Sequence, residues 1–130
     1  MLGMRSLSIL VIGLSLVGCR AVSQDTWTRE EMYFGLSRPD GGMVSDVDFS
    51  KFVDDVITPR FPDGFTIVPV IGQYREHSGK IAHEPSRIIV VFSPDDPLTR
   101  QKIDDIRALY KQRFAQESVL LVTSPAKVKF

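Results

Sequence analysis

Past residue 30, apolar positions fall into runs whose spacing alternates between strand-like and helix-like. Residues 31–37 (Glu-Met-Tyr-Phe-Gly-Leu-Ser) are short and aromatic-rich. They end in Arg38-Pro39-Asp40-Gly41-Gly42, whose proline, aspartate and glycines each favour turning, so they are read as a first strand and a loop. Ser45 precedes Asp46 and Asp48, carboxylates that suit the positive end of a helix. Phe49, Phe52, Val53, Val56 and Ile57 then recur at helical spacing. Pro59 and the Phe61-Pro62-Asp63-Gly64 turn stop that helix, and residues 65–74 are rich in Ile and Val. Pro69 within this second strand removes a backbone donor, which places the strand at an edge or a bulge.

Residues 76–80 (Glu-His-Ser-Gly-Lys) read as a hairpin tip. Residues 87–92 (Arg-Ile-Ile-Val-Val-Phe) are the strongest strand signal in the chain and predict the centre of a sheet. Asp96 as cap and Pro97 in the first turn open a second helix, with Ile103, Ile106, Leu109, Tyr110 and Phe114 on its apolar side. Residues 118–123, with Val119-Leu120-Leu121-Val122, supply a last strand. The order strand, helix, strand, strand, helix, strand is the split βαβ arrangement of a ferredoxin-like α+β domain, a four-stranded antiparallel sheet with two helices on one face. Its first and third strands are central, so Pro69 falls on an edge without adjustment.

A sheet covered on one side only should alternate apolar and polar residues, and these strands do not. Ile88, Val90 and Phe92 form one set and Ile89 and Val91 the other; Leu120 and Val122 oppose Val119 and Leu121; Val68 and Val70 add to the second strand. A wide exposed apolar patch is rare on a soluble monomer. Two copies packed sheet to sheet are therefore expected, with a pocket for a small apolar ligand as the other reading.

The chain begins with a short positive segment containing Arg5, an apolar run over residues 7–17, and Leu16-Val17-Gly18-Cys19, the layout of a bacterial secretion signal. The run is about half the ~20 residues that a membrane-spanning helix needs. Gly18-Cys19 resembles the lipobox of bacterial lipoproteins, in which the signal is cut before a cysteine that carries acyl chains. Residues 1–18 are then a removed signal, 19–29 the acylated Cys19 and a tether whose Trp27 packs back on the domain, and 30–125 a single domain. The expected partner is the membrane itself. Arg20, where an aspartate would favour retention in the inner membrane, implies the periplasmic face of the outer membrane in a diderm bacterium.

Sixteen basic residues balance sixteen acidic ones, and cleavage would remove only Arg5, so electrostatic capture of nucleic acid is not expected. With Cys19 the lone cysteine, no disulfide framework can form within the chain. His77 and His83 stand beside Glu76 and Glu84, but a two-residue turn at Ser78-Gly79 would send the histidines to opposite sides of the sheet, so no metal is expected. The same register puts Glu84 opposite Gln73 and diagonal to Arg75, as a cross-strand ion pair. Arg60 is expected to fasten its loop through Asp63, or else to hold an anion. Asp46, Asp48, Asp95 and Asp96 sit at helix starts rather than as acid/base pairs. The glycines form no phosphate loop, no serine lies in a Gly-x-Ser-x-Gly setting, and no cofactor is expected. If the open sheet face walls a pocket, its candidate residues are Tyr33, Val68, Tyr74, Arg75, Glu84, Ile89 and Val91, with Arg38 also to be inspected.

Three separated segments, residues 33–42, 56–66 and 113–119, together resemble domain-of-unknown-function family 3574, small bacterial envelope proteins that often carry a lipoprotein signal. The resemblance covers roughly residues 27–122. It implies a compact secreted domain and no activity, substrate or catalytic residue. The expectation is a membrane-tethered, non-catalytic binding or interaction module. The alternative is a small periplasmic enzyme with an apolar substrate pocket on the open sheet face.

Overall fold

The computed structural model describes residues 27–75 and 77–130. The secretion signal, the lipobox with Cys19, the first part of the tether, and Glu76 lie outside the described residues. The elements follow the expected order: β1 (Trp27–Gly35), α1 (Asp46–Phe52), β2 (Thr66–Arg75), β3 (Ile81–Pro94), α2 (Pro97–Phe114) and β4 (Leu120–Ala126). The strands are antiparallel in the order β2-β3-β1-β4, so β1 and β3 are central and Pro69 lies on an edge strand. This is the ferredoxin-like α+β arrangement.

Both helices are set by their caps. Ser45 Oγ accepts the amide of Asp48 (3.1 Å) at the start of α1, and Arg87 of β3 pairs with Asp46 (2.6 Å), fixing that start to the sheet. α1 runs on into a π turn, Val53–Ile57, in which the Thr58 amide reaches back to the Val53 carbonyl (2.9 Å). The five apolar residues expected on the helix, Phe49, Phe52, Val53, Val56 and Ile57, are all buried.

At α2 the Asp96 carboxylate accepts the Thr99 amide (2.8 Å) and hydroxyl (3.1 Å). These bonds, the amide first, hold its carboxyl below the usual carboxylate range. A depressed folded-state pKa gives stability that is complete above the unfolded value and lost as pH falls through the folded one. Asp96→Ala is therefore expected to lower Tm at pH 7 and to flatten its decline in acid. Asp96→Asn keeps the cap but also loses the acid dependence, and thermal denaturation between pH 7 and pH 2 separates the three proteins.

Three boundaries differ from expectation. β1 begins at Trp27, inside the segment read as tether, because Thr28 and Glu30 are polar yet buried on the helix-facing side. Glu30 is held there by the Thr123 hydroxyl of β4, whereas the pattern of Trp-Thr-Arg-Glu reads as solvated. β4 runs to Ala126. Between Arg75 and Ile81 the chain does not make the expected two-residue turn, with Gly79 at φ +85°, so Arg75 faces Ile81 and Gln73 faces His83. This one-residue slip in pairing exchanges the faces of β3 relative to β2.

The core is aromatic. Phe34, Phe49, Phe52 and Phe114 surround Tyr110, whose hydroxyl donates to the Gly35 carbonyl (2.8 Å). Among the described residues no helix is long and apolar enough to cross a membrane.

Candidate functional site: the uncovered sheet face

Residues directly opposite one another in an antiparallel sheet share a face, so the register assigns every side chain. Met32, Phe34, Ile89 and Val91 lie on the helix-covered side and are buried in the core. The other face carries rows that cross the sheet. Leu120, Tyr33, Ile88 and Val68 form one, from β4 through β1 and β3 to β2. Val122, Glu31, Val90 and Thr66 form the next, followed by Ser124, Arg29 and Phe92. Among the described residues no helix covers this face, and Leu120 (58%), Phe92 (48%), Val122 (42%) and Val68 (37%) are exposed on it.

Along the middle of the face β1 presents a polar chain. Arg29 pairs with Glu31 (2.6 Å), and Glu31 accepts the Tyr33 hydroxyl (2.7 Å). The hydrogen bond to Glu31, then burial and the negative charge of Glu31, raise the Tyr33 phenol above its usual pKa against the pull of Arg29. The phenol is therefore a proton donor, engaged with its neighbour, through the neutral range.

The seven candidate pocket residues separate. Tyr33 and Val68 meet through Ile88 on the open face. Glu84 shares that face, opposite Gly72, and reaches over Gly35, where a β-carbon would stand 2.5 Å from its Oε1. Tyr74 also shares the face, but six residues beyond Val68 along β2, about 20 Å away. Arg75 points to the opposite side, so the expected diagonal pair with Glu84 does not form. Ile89 and Val91 belong to the core and not to a pocket on this face: with both alternating sets of β3 apolar, only the packed structure decides which one the helices cover.

Of the remaining candidates, His77 is exposed in the turn and His83 sits opposite Gln73 on the helix side of the hairpin. No group of three His, Cys, Asp or Glu side chains gathers among the described residues. Arg60 fastens its loop through the Val56 carbonyl (2.8 Å), with no ion pair to Asp63 among the described residues. Asp95 pairs with Arg100, and Arg38 lies over the Phe114 ring (5.6 Å).

Sequence reasoning missed a cavity at the Trp27 end of the sheet. β2 starts at Thr66, opposite Val90, so among the described residues no strand flanks the last residues of β3 on that side. The gap is bounded by the 60–66 loop, the first turns of α2 and the tail after β4, and encloses about 630 Å³. Trp27 lines it and packs edge-on against Phe130 (6.0 Å between centroids). The alternation Lys127-Val128-Lys129-Phe130 was the available signal, but it lies beyond the expected domain end at residue 125.

A four-stranded antiparallel sheet in this order, with two helices on one face and an open apolar face on the other, defines a ferredoxin-like α+β domain. The family described as "Protein of unknown function (DUF3574)" matches residues 29–130, and the chain belongs to it. No curated protein matches the sequence. Among solved structures, a phage SAM lyase in complex with S-methyl-5'-thioadenosine is similar in fold (TM-score 0.59, 21% identity, covering 78% of this chain and 81% of that one). CutA from Synechococcus elongatus (TM-score 0.51, 11% identity, 78% of each chain) and CutA1 from Oryza sativa (0.50, 12%, 82% and 86%) are also similar. At these identities the likeness shows the fold and assigns no residue.

Proposed function

We infer that this protein is an envelope lipoprotein, anchored through Cys19, whose domain is a non-catalytic binding module working through its uncovered sheet face. The observation that carries the reading is that face, on which Leu120, Val122, Val68 and Phe92 stand exposed around a polar chain whose groups are already paired with one another. The charged start, apolar run and Gly18-Cys19 support the anchor, and Arg20 supports the outer membrane in a diderm bacterium.

A second copy is the simplest cover. The face measures roughly 20 by 30 Å, of the order of the ~800 Å² that each partner contributes to a standard interface. A twofold axis would set the same rows against each other. The test is native mass spectrometry of the protein beside a variant carrying both Leu120→Asp and Val122→Asp. Both positions are exposed, so the fold tolerates the change, while carboxylates brought into an apolar interface should weaken pairing about a hundredfold or more. A wild-type monomer without bound mass would refute this use of the face. A second reading, a small periplasmic enzyme with an apolar substrate on the same face, is supported by the Arg29-Glu31-Tyr33 chain at its centre. A species that releases a small molecule on denaturation would decide for it.

A further inference from the structure

The cavity at the Trp27 end has a chemistry unlike that of the sheet face. Arg60, Lys102, Lys127 and Lys129 line it against one acidic side chain, Asp63. Glu30, the other acid at this end, is turned toward Thr123 of β4 and is not among the lining residues. Arg60 is spent in part on the Val56 carbonyl and Lys102 lies over the Phe61 ring (5.7 Å), but Lys127 and Lys129 have no acidic partner among the described residues. Cations brought together without counter-charges repel one another, so an anion entering among them gains from every one.

Ser93 is the second, independent observation. It lines the cavity, is only 7% exposed, and its buried Oγ has no hydrogen-bond partner among the described residues. A buried hydroxyl without a partner is costly, and a ligand oxygen entering the cavity beside it would relieve that cost. Most of the rest of the wall is apolar, with the aromatic Trp27, Phe65 and Phe92 among its members. The volume falls within the range of small-molecule sites.

We propose that this cavity binds an amphiphile with a phosphate head and an acyl or alkyl body, the phosphate held by Lys127, Lys129 and the Ser93 hydroxyl and the body laid against Trp27 and Phe92. The same chemistry is offered by a membrane phospholipid and by a free lipid phosphate. The first source follows if the anchoring read from the sequence holds, since Trp27 lies eight residues after Cys19 and therefore within about 30 Å of the bilayer. The cavity chemistry itself does not depend on that anchor.

Trp27 is the lone tryptophan of the chain, so its fluorescence reports directly on the cavity. The full-length protein in phosphatidylcholine vesicles is titrated with octyl phosphate below its micellar concentration, with octyl glucoside and inorganic phosphate as controls. A saturable change in Trp27 emission with octyl phosphate, at least tenfold tighter than with either control, is expected. Lys127→Glu with Lys129→Glu, both at exposed positions, should weaken it about tenfold or more. Ser93→Ala should weaken it severalfold without lowering Tm, because the hydroxyl removed has no protein partner. Equal responses to octyl phosphate and octyl glucoside, no saturable response, or unchanged affinity in the lysine variant would overturn the proposal. Vesicles containing phosphatidylglycerol separate the sources: a shift of Trp27 emission before any octyl phosphate is added identifies the membrane lipid, and its absence beside octyl phosphate binding identifies a free ligand. Cys19→Ala should bind octyl phosphate as the wild type does, so failure of the anchor and failure of the cavity are read separately.

Discussion

Tyr110→Ala is expected to remove about 3–5 kcal/mol of folding stability, as truncation of a fully buried aromatic side chain does. Tyr110 is the centre of the core: its ring meets Phe34 at 4.7 Å, Phe114 at 4.8 Å and Phe52 at 5.1 Å, and these rings join β1, α1 and α2. Alanine leaves those rings facing a void and also leaves the Gly35 carbonyl without its donor. Against a total of about 5–15 kcal/mol for a domain, the variant should be partly unfolded near physiological temperature. Tyr110→Phe separates the two contributions, since it keeps the rings and loses only the hydroxyl, at about 1–2 kcal/mol. Burial, with a smaller contribution from the Glu84 charge, raises the Tyr110 phenol well above its usual pKa. That stabilisation is complete below the unfolded value near 10 and falls as pH rises toward the folded one. Urea denaturation at pH 7 and pH 11 should therefore show a smaller alkaline loss for Tyr110→Phe than for the wild type, Tyr33 accounting for part of what remains.

The order of elements was legible because each helix declares itself twice, by a cap and by a period. Ser45 precedes Phe49, Phe52, Val53, Val56 and Ile57, and Asp96 precedes Ile103, Ile106, Leu109, Tyr110 and Phe114; all of these apolar residues are buried except Leu109, which packs partly buried against the core. Pro69 likewise located the edge strand, because a missing backbone donor is a local fact with one structural consequence. What did not follow were the relations between elements. With Ile88, Val90 and Phe92 alternating against Ile89 and Val91, hydrophobicity could not say which set the helices cover. A connection longer than the expected two-residue turn then exchanged the faces of Glu84 and His83 relative to β2. Thr28 and Glu30 hid the start of β1, since polar residues satisfied by strand neighbours look the same in sequence as polar residues facing water. The cavity was least legible of all. It exists because β2 starts opposite Val90 while β3 runs on to Pro94, a mismatch of strand lengths that no local pattern carries.

Cys19→Ala is expected to produce the largest change in where the protein resides. Residues 7–17 would span only about 16 Å as a helix, against about 30 Å of hydrocarbon, so the uncleaved run holds the membrane poorly by itself. Acylation changes that balance: each buried methylene contributes about 0.8 kcal/mol, one chain alone is marginal, and two or three are effectively permanent. Wild-type protein should incorporate labelled fatty acid, shorten by the signal and sediment almost wholly with membranes. Cys19→Ala should incorporate none, accumulate as precursor and move largely into the soluble or aggregated fraction. Normal shortening of Cys19→Ala with undiminished, label-free membrane retention would refute the anchor, because the membrane would then be held by the domain itself. The basic cavity at the Trp27 end offers such a hold, and the two causes separate by charge. Retention through Lys127 and Lys129 should be lost in high salt and in the double glutamate variant, whereas acyl chains hold in both.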